Sequence, residues 1–119
     1  MNMTIQDLRE FLEANRPQQI ENGLIGKYVI VRCRDAGVHA GVLESHSGRE
    51  AVLTDSRRLW KWVCANGAFL SGLSQHGLDS ANSTVGTRVP RIHLTETCEI
   101  IGCSDSAETS IRNQVAHRE

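Results

Sequence analysis

The sequence predicts a small, strand-rich α+β domain of about five to six antiparallel strands, with an N-terminal helix and a short C-terminal helix. Three observations predict it. Residues 27–63 hold short runs rich in β-branched side chains, separated by glycine-containing turns, which is the pattern of a meander. Residues 88–102 repeat that pattern as two runs joined by Thr95-Glu96. Residues 4–15 and 107–115 carry helical spacing or helix caps instead. A chain of 119 residues fits one domain, read as an N-terminal helix and connector (1–23), a β core (24–103) and a C-terminal helix with its tail (104–119).

Taken in order, Thr4 is placed to cap the first helix, with Asp7 three residues on in the capping-box position. Ile5, Leu8, Phe11 and Leu12 form its apolar stripe, and Pro17 ends it. A polar connector runs to Gly23. Lys27–Arg34 reads as a strand, Asp35-Ala36-Gly37 as a tight turn, His39–Glu44 as a strand and Ser45–Arg49 as a second turn. Glu50–Thr54 opens a third strand that resumes at Arg58–Val63. This succession resembles the opening meander of a small SH3-like, partly open barrel. Gly67–Gly77 reads as one or two helical turns with Gly77 as C-cap. Leu78–Gly86 reads as a polar loop, Arg88–Leu94 and Thr97–Gly102 as two strands, and Ala107–Val115 as a helix capped from Ser104, Asp105 or Ser106. The last residues are expected to fray.

Composition narrows the function. No apolar run approaches the roughly 20 residues of a membrane span, and the first residues carry acids where a signal peptide is apolar. The expectation is a cytoplasmic protein. Cys33, Cys64, Cys98 and Cys103 lack the paired spacing of a zinc site, so free thiols and no metal are expected. A net charge of −1 supplies no global field for nucleic acid. Eleven of the 13 basic residues are Arg, whose planar fork suits phosphate, carboxylate and ring faces. A GC-rich coding sequence produces the same bias.

The densest cluster of binding chemistry is TDSRRLWKWV, residues 54–63. Strand alternation puts Arg58, Trp60 and Trp62 on one face and Arg57, Leu59, Lys61 and Val63 on the other. Guanidinium beside indole suits a planar anion, which stacks on aromatic faces. The alternative is that the tryptophans fill the core of a domain with only five aromatic residues. If the first strand neighbours the third, Arg32 and Arg34 would approach Arg57 and Arg58 as an anion site, unless nearby acids satisfy them. Catalytic readings find less support. The five histidines are dispersed, and no metalloprotease helix, nucleophile elbow, P-loop or dinucleotide fingerprint is present. No enzyme activity and no cofactor are expected.

The succession LTDSRRLWKW, GAFLSGLSQHG and RVPRIHLTETCEIIGCSDSAETSI resembles small uncharacterised proteins of tailed phages. That pattern runs from an LTxxRRLWxW strand to an EIIPC ending followed by SI, and Gly102 departs from it by standing where Pro is expected. The resemblance carries no settled activity. It implies a phage setting, in which small non-enzymatic proteins counter host immunity. Thoeris anti-defence sponges, compact strand-rich oligomers that bind cyclic ADP-ribose-type signals, are the analogy. Three functions follow as expectations. The first is a homo-oligomer in the host cytoplasm that sequesters a nucleotide-type ligand, with Arg57, Arg58, Trp60, Trp62, Phe69 and Asn82 as contacts. The second is an anti-CRISPR-like protein inhibitor of a host defence complex, using the same aromatics as hot spots. The third is a structural or housekeeping phage domain.

Overall fold

The computed structural model describes residues 4–7, 23–67 and 69–117. Residues 5–7 are helical, and the capping box forms as expected. Thr4 N–H donates to Asp7 Oδ2 at 3.2 Å and Asp7 N–H donates to Thr4 Oγ1 at 3.1 Å. The remainder of that expected helix, with Leu8, Phe11, Leu12 and the stop at Pro17, lies outside the described residues, as do residues 118–119.

Six strands follow: β1 (Tyr28–Cys33), β2 (Val38–Ser47), β3 (Glu50–Lys61), β4 (Thr84–Val85), β5 (Val89–Leu94) and β6 (Thr97–Gly102). Helix α1 (Leu70–His76) and a 3-10 turn (Ser80–Asn82) lie between β3 and β4, and α2 (Asp105–Asn113) follows β6. The sheet is ordered β4-β3-β2-β1-β6, with β5 also on β3, and its pairings are antiparallel. β5 takes the Ala51–Ser56 part of β3, and β4 takes Leu59–Lys61. Among the described residues no ladder joins β6 to β4 or β5, so the expected partly open barrel is an open sheet.

The run YVIVRC makes β1 the one strand buried along both faces except at Arg32. Tyr28 and Ile30 join Leu59, Leu70, Leu73, Val85 and Ile111 beneath the two helices. Val29, Val31 and Cys33 join Leu43, Leu53 and Leu94 on the opposite face. Burying each such aliphatic side chain stabilises the fold by about 1.5–3 kcal/mol, so two half-cores share one central strand.

Helix ends follow their caps. Gly77 closes α1 at φ 83, with its N–H on Leu73 O at 2.9 Å, a conformation that favours glycine. The Ser104 hydroxyl accepts from Ala107 N–H at 3.1 Å to start α2. Two expectations need correction. The α2 helix ends at Asn113 rather than Val115, because Gln114 turns to φ −61, ψ 130 and the chain leaves to pair Ala116 with Val85. The stretch 78–86 is also ordered rather than a plain loop, since its Thr84-Val85 forms β4.

Candidate functional site

A bulge in β3 sets up the site. Between the pairs Ala40↔Arg57 and Val42↔Thr54, Asp55 and Ser56 stand opposite Gly41 alone, and Asp55 takes φ 47. One extra residue reverses the side-chain alternation. Before it, Ala51 and Leu53 face the β1–β2–β5 half-core. After it, Leu59 faces the helices while Arg58 and Trp60 turn outward. Gly41 permits this close passage, since a Cβ there would lie 2.9 Å from Thr54 O and 3.1 Å from Ser56 Cα.

Beyond the end of β5, the outward face becomes a groove of about 520 Å³ lined by Arg58, Trp60, Thr84, Gly86, Thr87 and His117, a size within the range of small-molecule sites. Cross-strand register assembles it. β4 runs beside β3 through Leu59↔Val85, and the C-terminal segment runs beside β4 through Val85↔Ala116. The residues flanking each of these inward-facing positions therefore share the other face. Gly86 N–H donates to Arg58 O at 2.8 Å and His117 N–H to Val85 O at 2.9 Å.

Trp60 is 74% exposed, with its ring edge-on to His117 at 6.1 Å and 66°. The exposed Arg58 guanidinium makes no hydrogen bond or ion pair among the described residues, nor does the Thr87 hydroxyl. None of the six lining residues is acidic. His39 pairs with Arg58 across the ladder and is buried, with Nε2 at 2.9 Å from Ala36 O. Burial pushes its pKa below the ordinary histidine value, with the Arg58 charge acting in the same direction against the Ala36 hydrogen bond. A cation, an indole face, unspent hydroxyl groups and an imidazole thus line a groove with no competing carboxylate among its described lining residues.

The structure brings only Arg58 and Trp60 together from the expected contacts. Arg57 is 3% exposed and spends its donors on carbonyls: Nε on Gly86 O at 3.0 Å, Nη1 on Ile111 O at 2.8 Å and on Gln114 O at 2.6 Å. It lies behind the groove rather than in it. Trp62 falls past the end of β3 and packs half-buried against the helix-covered core. Phe69, 77% exposed, sits at the start of α1. Asn82 donates to Asp79 Oδ2 at 2.9 Å in the 3-10 turn. Neither Phe69 nor Asn82 lines the groove.

The postulated four-arginine cluster does not form, because β2 separates β1 from β3. Arg32 pairs with Glu99 at 2.7 Å and Arg34 with Asp35 at 3.3 Å. Sequence reasoning missed Thr84, Gly86, Thr87 and His117. The alternation of STVGT, residues 83–87, is a weak edge-strand signal. His117 has no local signal at all.

A family model described as a domain of unknown function, DUF6948, matches residues 26–111. The chain belongs to that family. The DUF6948 match takes in all six strands, α1 and most of α2, and every groove residue except His117. No curated protein and no solved structure matches the chain.

Proposed function

We propose that the chain is a non-enzymatic binding protein whose groove takes a nucleotide-type anion of the cyclic signalling class, and that it sequesters this signal in the host cytoplasm to counter immunity on behalf of a phage. The observation that carries the binding reading is the Arg58 guanidinium, unpaired among the described residues, beside the exposed Trp60 in a groove whose described lining residues include no acid. Base stacking on an aromatic ring contributes about 1–3 kcal/mol per base. A phosphate on an unpaired guanidinium adds a charge-assisted hydrogen bond, and Thr87 supplies a further donor. The role in immunity rests on the phage resemblance. Sequestration needs no general acid or base, and the lining residues offer only His117 as a candidate for one.

The test is a thermal-shift and tryptophan-fluorescence titration against cyclic dinucleotides, cyclic trinucleotides, cyclic ADP-ribose isomers and linear nucleotides. A saturable rise in Tm with one of them, lost in Trp60→Ala and Arg58→Gln, and recovery of the ligand intact are expected. A flat panel overturns the reading. It would turn attention to a protein partner, a second reading favoured by the exposure of Phe69 away from the groove.

A further inference from the structure

We infer that Arg57 is the positioning residue of the groove, fixing two of its walls from behind and making the C-terminal segment 114–117 a working part of the site. This rests on the reading of the groove as a binding site, but its geometry is independent of any ligand. One wall is Gly86, whose carbonyl receives Arg57 Nε at 3.0 Å. The other is the segment that carries His117, whose first carbonyl, Gln114 O, receives Arg57 Nη1 at 2.6 Å. The same nitrogen reaches Ile111 O at 2.8 Å and Arg112 O at 3.4 Å, the end of α2.

Carbonyls at a helix C-terminus lack partners within the helix and carry partial negative charge. They favour a buried cation without needing an acid. Arg57 thereby stops α2 at Asn113 and delivers the following residues to β4. Beyond that point the segment has few other anchors among the described residues. Gln114 Nε2 donates to Ser80 O and Ser83 O at 3.0 and 3.1 Å, and the Val85↔Ala116 bridge brings His117 N–H onto Val85 O at 2.9 Å. Releasing Gln114 from Arg57 would free the His117 ring from Trp60 and open one side of the groove.

Lysine at position 57 keeps the charge but offers a single nitrogen and no fork, so it can hold one wall and not both. The experiment compares full-length parent, Arg57→Lys and Arg57→Met by amide hydrogen exchange, by acrylamide quenching of Trp60 in a Trp62→Phe background, and by affinity for whichever nucleotide in the panel saturates. Exchange of the His117 amide is expected to quicken at least tenfold in Arg57→Met and by less in Arg57→Lys, while β1 and β2 amides stay protected. Trp60 should become more quenchable and affinity should fall at least tenfold, each partly rescued in the Lys variant. Unchanged His117 exchange and unchanged Trp60 quenching in a folded variant overturn the inference, even if a ligand binds. If Arg57→Met does not fold, Arg57→Lys decides by the same two readouts. A flat nucleotide panel with the expected local exchange removes the binding reading and leaves the positioning of the segment standing.

Discussion

The two halves of β3 share one backbone and opposite tasks. Ala51–Ser56 lies between β2 and β5 and presents Ala51 and Leu53 to a half-core. Arg57–Lys61 lies between β2 and the two-residue β4 and presents Arg58 and Trp60 to an open groove. The difference comes from one extra residue at Asp55 and from the early end of the neighbouring strand. A bulge is therefore worth as much to the site as any residue lining it. It lets Leu59 reach the helix-covered core while an arginine and a tryptophan point outward.

Adjacent arginines mark the boundary, and replacing them one at a time should give the sharpest contrast. Arg57→Met leaves buried carbonyls unpartnered and is expected to cost on the order of 3 kcal/mol, read as a lower urea midpoint with an unchanged m-value. The tryptophans should divide in the same way. Trp62→Ala, removing an indole packed on the core, is expected to cost about 2–3 kcal/mol, somewhat below the range for a fully buried Trp. A midpoint unchanged in either variant would erase the distinction between the inward and outward faces.

The bulge itself can be stressed. Gly41→Ala adds a Cβ 2.9 Å from the Thr54 carbonyl oxygen and 3.1 Å from Ser56 Cα, both backbone atoms that yield only if the strands part. The expected loss is about 1–3 kcal/mol, accompanied by a change in Trp60 emission as the outward face shifts. Destabilisation without any change at Trp60 would separate the bulge from the groove.

A smaller effect follows from His39, buried beside Arg58 and held below its ordinary pKa chiefly by desolvation. The unfolded chain protonates this imidazole near pH 6.5 while the folded chain resists. Stability is thus full above that pH and falls as pH drops through 6.5 towards the folded value, with a slope of at most about 1.4 kcal/mol per pH unit. His39→Gln should flatten that part of the pH profile. If parent and variant lose stability in parallel between pH 7 and 5, His39 is not the group that carries the dependence.

Much of the fold was legible because its signals are local. β-branched runs with Gly37 and Gly77 at the turns place five of the six strands and the end of α1. Alternation also separated Arg57 from Arg58 correctly. What alternation could not supply was depth. It put Trp62 beside Trp60, yet β3 ends at Lys61 and the Trp62 side chain packs against the helix-covered core. Nor could it show that the free face of Arg57 points at the end of a helix 54 residues on. The groove depends on β4 and on the Val85↔Ala116 bridge, pairings of two residues or fewer, too short for any periodicity to register.

The smallest expected effect is on stability at the outward face. Arg58→Gln and Trp60→Ala remove side chains that are largely in water already, so each should move the folding free energy by no more than about 0.5 kcal/mol. Their effect on binding should run the other way. Loss of stacking in Trp60→Ala should weaken a nucleotide about tenfold or more, at every salt concentration. Loss of the guanidinium in Arg58→Gln should weaken it most at low ionic strength, because exposed charges are screened as salt rises. Titrations of both variants at two salt concentrations separate ring from charge. An Arg58→Gln variant that binds as tightly as the parent at low salt would leave Trp60 as an exposed apolar surface, and the groove would then fit a protein side chain better than a phosphate.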